Sequence, residues 1–146
     1  MLKAIGAEDY ILKNPLTFSE DTDLFRAIHL LLENKVTGAT VVNVNNEIVG
    51  VISELDCLEA IIDGAYYGDI SGKKVGHYMT KGVQSIDGIA DLDILHIAKM
   101  MIDGKRRRFP VTKNGKFAGQ VSTRSILQAV KDFVSEHDPK ENSPLE

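Results

Sequence analysis

The sequence predicts a mixed α/β fold (α+β in arrangement), built as two β-α-β-β-α copies packed with pseudo-twofold symmetry. Three observations predict it: an internal repeat, a switch between strand-like and helical periodicity within each copy, and turn signals at matching places in both. Residues 10–18 align with 78–86, residues 23–28 with 93–98, and residues 47–53 with 116–122. The partners stand about 68 to 70 positions apart, in the same order each time.

Each copy opens on a short strand, at 16–18 and 84–86. A helix follows, with Leu24, Ile28, Leu31 and Leu32, and then Leu95, Ala98, Met101 and Ile102, at helical spacing. Asp21 and Asp91 precede these helices as N-caps. Asn34 and Gly104 stand where a left-handed residue ends a helix. Strands 39–44 and 48–52 are rich in β-branched residues and are split by Asn45-Asn46. Strands 109–112 and 117–121 are split by Asn114-Gly115, a favoured hairpin turn. A last helix runs over 54–62 in the first copy and 123–134 in the second.

The expected organisation is a first repeat with an N-terminal segment (1–65), a glycine-containing linker (66–74), a second repeat (75–137) and a disordered tail (138–146). A copy of about 60 residues builds only a marginal core alone. Two copies are therefore expected to close on one another and to leave two related clefts, where a ligand would sit.

Composition narrows the function. The chain has 146 residues, 17 basic and 21 acidic, for a net charge of −4. That balance argues against broad nucleic-acid binding, which needs a dense basic face. No apolar run reaches the roughly 18 residues that a membrane helix needs. The start lacks a secretory apolar core, and Cys57 is the one cysteine. A cytoplasmic location is expected. No phosphate-loop, zinc-protease or nucleophile-elbow motif occurs, and His29, His77, His96 and His137 lack ligand spacing. No catalytic residue, metal site or enzyme activity is expected.

Three marks remain: Tyr78-Met79-Thr80 before the second copy's first strand, Phe109-Pro110-Val111, and Gly50-x-x-Ser53-x-x-Asp56. With the element order, they resemble the cystathionine-β-synthase (CBS) domain family over nearly all of residues 10–134. The likeness is to a tandem CBS pair acting as a stand-alone Bateman-type module. It implies a regulatory sensor that binds an adenine nucleotide (AMP, ADP or ATP, with Mg²⁺ as a companion of ATP). It also implies a homodimer through the helices of both copies, and an unidentified regulated partner. The competing expectation is a dimerisation or interaction scaffold that binds no nucleotide.

The resemblance places the ribose hydroxyls on Asp56 and the phosphates or ribose near Ser53. From the residues themselves, Ser53 stands where a strand meets a helix N-terminus, whose free N–H groups attract phosphate. The same residues also fit a simple N-cap with acids in the first turn. The second copy has Ser122, Arg124 and Ser125 there, so its acid is missing. Thr17 and Ser85 end the first strands, a position that contacts ligand in the family. Val36, Gly38, Ala39 and Thr40, and in the second copy Arg106, Arg107, Arg108, Phe109 and Pro110, flank base or phosphates. The run of arginines suits phosphate oxygens, with Arg107 favoured and Arg124 assisting. Its plain alternative is a solvated loop. The half with Asp56 is expected to be the better ribose site.

Overall fold

The computed structural model describes residues 5–67 and 72–137. The expected tail, and residues 68–71 of the expected linker, lie outside the described residues. Both β-α-β-β-α copies are present. The first runs β1 (Thr17–Phe18), α1 (Leu24–Glu33), β2 (Gly38–Val42), β3 (Ile48–Ser53) and α2 (Glu54–Tyr67). A short helix, α3 (Val75–Tyr78), comes next. The second copy runs β4 (Ile86–Asp87), α4 (Ile94–Gly104), β5 (Arg108–Lys113), β6 (Lys116–Ser122) and α5 (Thr123–His137).

Each sheet has three strands, in the orders β1-β2-β3 and β4-β5-β6. The helical crossover makes the first pairing parallel, with Thr17 opposite Thr40 and Phe18 opposite Val41. The second copy repeats this with Ile86 opposite Val111. β2 and β3 pair antiparallel, Gly38 opposite Ser53. Asn114 and Gly115 both have positive φ (54° and 78°), as a two-residue hairpin of matching twist requires. In the first hairpin Asn43 organises the turn, its Oδ1 accepting from the N–H groups of Asn45 and Glu47, both at 2.9 Å.

The helix ends correct the sequence reading. The N-caps are Asp23 and Asp93, not Asp21 and Asp91. Asp23 accepts from Arg26 N–H at 3.1 Å and Asp93 from His96 N–H at 2.9 Å. The left-handed residues are Lys35 and Lys105, one position beyond Asn34 and Gly104. After each of them the chain closes a 6→1 bond, Val36 N–H to Leu31 O at 3.1 Å and Arg106 N–H to Met101 O at 2.9 Å. Asn34 serves otherwise, its Nδ2 donating to Leu30 O at 2.7 Å. α2 and α5 outlast their expected ends, so the linker opens on residues that are still helical.

The chain divides into two compact units that do not follow the repeat borders. One contains residues 15–84 with Gly115–Phe117; the other contains Met1–Asn14 with most of the second copy. The first-copy unit has a core of Phe18, Leu24, Ala27, Leu31, Val41 and Ile52, completed by Val75 and Met79. The second-copy unit packs Ile94, Ile97, Phe109, Val111 and Val121 with Ala7, and with Ile5, Tyr10 and Ile11 against them. The N-terminal segment therefore belongs with the second copy, and the segment before the second copy with the first. Burial drives both placements: each segment covers the edge of a sheet whose own copy leaves it open.

Candidate functional site

Strand alternation sorts the candidate residues by face. In the first-copy unit Phe18, Ala39, Val41 and Ile52 point into the core. Their neighbours Thr17, Gly38, Thr40 and Ser53 therefore share the opposite face of the sheet. In the second-copy unit Ile86, Phe109, Val111 and Val121 are core residues. Ser85, Arg108, Pro110 and Ser122 share the opposite face there. Seven of the expected residues in the first copy come together around the start of β2 and the end of β3. Val36 leads into β2, and Glu54 N–H donates to Thr37 O at 3.0 Å, fastening that loop to the helix start.

Two of the expected residues lie within the core. Ala39 and Phe109 face the core, Phe109 with no exposed surface at all. Their side chains are spent on packing, and only their backbone remains for a ligand. Arg124 stands at the repeat position of Leu55, whose side chain lines a groove between α1 and α2. Arg124 itself is exposed in the first turn of α5.

The serine-to-acid motif forms a reciprocal capping box. Ser53 N–H donates to Asp56 Oδ2 at 2.9 Å, and Asp56 N–H donates to Ser53 Oγ at 3.2 Å. The second copy closes the same box with a hydroxyl. Ser122 N–H donates to Ser125 Oγ at 3.3 Å, Ser125 N–H donates to Ser122 Oγ at 3.1 Å, and the two Oγ atoms lie 3.1 Å apart. The cap thus forms without a carboxylate. Asp56 supplies more than the box uses, since Oδ2 closes it and Oδ1 stays outside.

Lys105, Arg106 and Arg107 are exposed and Arg108 half-buried. Arg107 O accepts from Thr123 N–H at 2.8 Å, which ties the run to the start of α5. Thr112, buried at the end of β5, donates to Asp87 Oδ1 at 2.7 Å. Cys57 beside Asp56 is buried, and burial first, then Asp56 and Glu54, push its thiol above the ordinary value. It is a packing residue, held in the unreactive thiol form. Among the described residues no group of three or more His, Cys, Asp or Glu is arranged to hold a metal. None of their helices is long and apolar enough to cross a membrane.

Sequence reasoning missed what holds the exchanged segments. Leu12 N–H donates to Gln120 O at 2.8 Å and Gln120 N–H to Leu12 O at 3.1 Å; Thr80 and Val51 exchange the same pair at 2.8 and 3.0 Å. A Cβ on Gly50 would stand 2.7 Å from Thr80 O, and one on Gly119 2.5 Å from Leu12 O, so both positions admit only glycine. Tyrosines latch the same segments. Tyr10 Oη donates to Asp132 Oδ2 at 3.1 Å, and Tyr78 Oη to Asp63 Oδ2 at 3.2 Å while accepting from Lys73 Nζ at 2.9 Å. Desolvation first, then Asp132, raises the Tyr10 hydroxyl above its usual range. The signal was present: Asp63 and Asp132 stand 69 positions apart and Tyr10 and Tyr78 68, both within the spacing of the repeat.

Two parallel-crossover sheets, each followed by a boxed helix and each completed by an exchanged segment, define a tandem pair of repeats. The chain belongs to the CBS domain family: that family's model matches residues 7–63 and again residues 75–132. A crystal structure of CBSX2 in complex with AMP is similar with a TM-score of 0.77 at 26% identity, covering 88% of this chain and 98% of that one. CBSX2 from Arabidopsis thaliana gives a TM-score of 0.76 at 25% identity, over 90% of this chain and 97% of that one. A 17.7 kDa protein of Acidianus ambivalens is 30% identical over 124 residues, 84% of this chain and 68% of the relative. Protein MJ1225 of Methanocaldococcus jannaschii is 25% identical over 126 residues, 86% of this chain; the chain spans 43% of that relative's length.

Proposed function

We propose that the chain is an adenine-nucleotide sensor, taking AMP, ADP or ATP, with Asp56 as the acceptor for the ribose hydroxyls. The observation that supports this most is the spare carboxylate. Ser125 shows that a hydroxyl suffices for the box, so an acid at position 56 has chemistry left for a vicinal diol. The fit is local: Asp56 opens α2 beside Ser53, at the positive end of the helix dipole, which favours phosphate oxygens. The AMP complex of CBSX2, at 26% identity, supports the ligand class. In the second-copy unit the exposed guanidinium groups of Arg106 and Arg107 take the phosphate role. Mg²⁺ would accompany ATP. The chain is regulatory rather than catalytic in this reading, works in the cytoplasm as a homodimer, and passes occupancy to a partner protein by a change of conformation or dimer packing. A ligand can do so only through different affinity for two states.

Titration calorimetry with AMP, ADP and ATP tests the reading. At least one is expected to bind, and Asp56→Ser is expected to weaken it about tenfold or more, since a charged acceptor is lost while the box is kept. No heat with any of the three would leave the scaffold reading in its place. Wild-type affinity in Asp56→Ser would remove the ribose role.

A further inference from the structure

The segment ahead of the first copy is held on the second copy by its own set of bonds. Ala7 N–H donates to Leu92 O and Ile94 N–H to Ile5 O, both at 3.1 Å. Leu12 and Gln120 exchange their pair, and Tyr10 Oη reaches Asp132. Ala7 is wholly buried, and Ile5, Tyr10 and Ile11 pack against the same core. All of the receiving groups lie between Leu92 and Asp132. A segment of identical sequence from a second chain would therefore meet identical partners.

What differs between the two sources is the hinge. The chain leaves the segment at Asn14 with φ 55°, and Pro15 follows. Asparagine tolerates positive φ, but a proline pushes the residue before it toward extended backbone with negative φ. The other leading segment ends on the same bend without that conflict. Its positive-φ residue is Gly82 (φ 69°), followed by Val83, each 68 positions beyond its counterpart. One bend is made without steric cost and the other against a proline.

We propose that residues 5–13 are traded between two copies of this chain. Each segment seats against β6, α5 and the entry to α4 of the other chain, and the hinge at Asn14–Pro15 straightens. The swapped pair keeps every bond of the segment and gives up only the bend, the condition under which a short strained hinge favours trading. The union is made by main-chain pairing on β6, the outer strand of its sheet. Because two chains combine, the swapped form gains as protein concentration rises. The segment before the second copy stays in its own chain, since Gly82 leaves nothing to relieve. The swap does not depend on nucleotide binding.

The test uses two full-length Cys57→Ala chains with different tags, co-expressed, one with Leu12→Cys and the other with Gln120→Cys. A hydrogen-bonded antiparallel pair sets its Cα atoms about 5.5 Å apart, within reach of a disulfide. Mild oxidation is expected to link unlike tags. Asn14→Gly in both chains relieves the bend in place and is expected to cut that linkage about tenfold. Absence of linkage between unlike tags, while a single chain carrying both cysteines closes on itself, would overturn the swap. Linkage undiminished by Asn14→Gly would overturn the hinge as its cause. Capture of a different protein by Gln120→Cys would overturn the choice of occupant.

Discussion

Replacing Gly119 by alanine tests what the exchanged segment contributes. The new Cβ would stand 2.5 Å from Leu12 O and 2.7 Å from Ile11 Cγ2. Leu12 cannot retreat without losing both its bonds to Gln120, at 2.8 and 3.1 Å. Two such bonds are worth about 1 kcal/mol each. Gly119 also has φ +146°, a region open in practice to glycine alone, which adds about 1–3 kcal/mol. The expected loss is therefore about 3–5 kcal/mol. Gly50→Ala meets Thr80 O at 2.7 Å and Met79 Sδ at 2.9 Å but carries no positive-φ strain. It is expected to lose about 2 kcal/mol from the Val51–Thr80 pair. Urea unfolding followed by circular dichroism measures both. A Gly119→Ala protein within about 1 kcal/mol of wild type, or less affected than Gly50→Ala, would refute the strained edge-pairing account.

Asp56→Ala is expected to destabilise by about 1 kcal/mol through loss of the box, whereas Asp56→Ser stays near wild type because Ser125 already closes an equivalent box; thermal unfolding separates them. Tyr10→Phe is expected to cost about 1 kcal/mol at neutral pH. Because the folded protein holds the Tyr10 proton more tightly than the unfolded chain, that margin is complete below pH 10.0 and shrinks as pH rises beyond it, a trend that paired unfolding curves read directly. Arg107→Glu is expected to weaken ATP more than adenosine in calorimetry, and equal losses would remove the phosphate role.

The repeat, element order and hairpin signals were legible because they rest on period and on turn chemistry, which are local. The helix starts were misplaced by two residues because Asp21 and Asp23 are both competent caps, and only the folded backbone decides which aspartate reaches the third N–H. Lys35 and Lys105 were missed because a lysine adopts positive φ only when the 6→1 bond and the next strand demand it. Phe109 lies in a stretch that carries a family mark, and Ala39 is its counterpart in the first copy, where the mark is absent. Strand alternation, registered against Val41 and Val111, puts both side chains in the core. The sequence from Ser53 to Asp56 fits both a cap and a ribose contact. The structure confirms the cap, and the serine box of the second copy separates the two.

The exchange of segments also governs how the molecule can be cut. A fragment taken at the repeat border would carry Val75 and Met79, hydrophobic groups fitted to its neighbour, and would lack Ala7 and Ile11, fitted to itself. Its flank at Gly119 would lie open to water. The two halves are interlaced through their leading peptides, so autonomy would require splicing residues 5–14 directly ahead of residue 85.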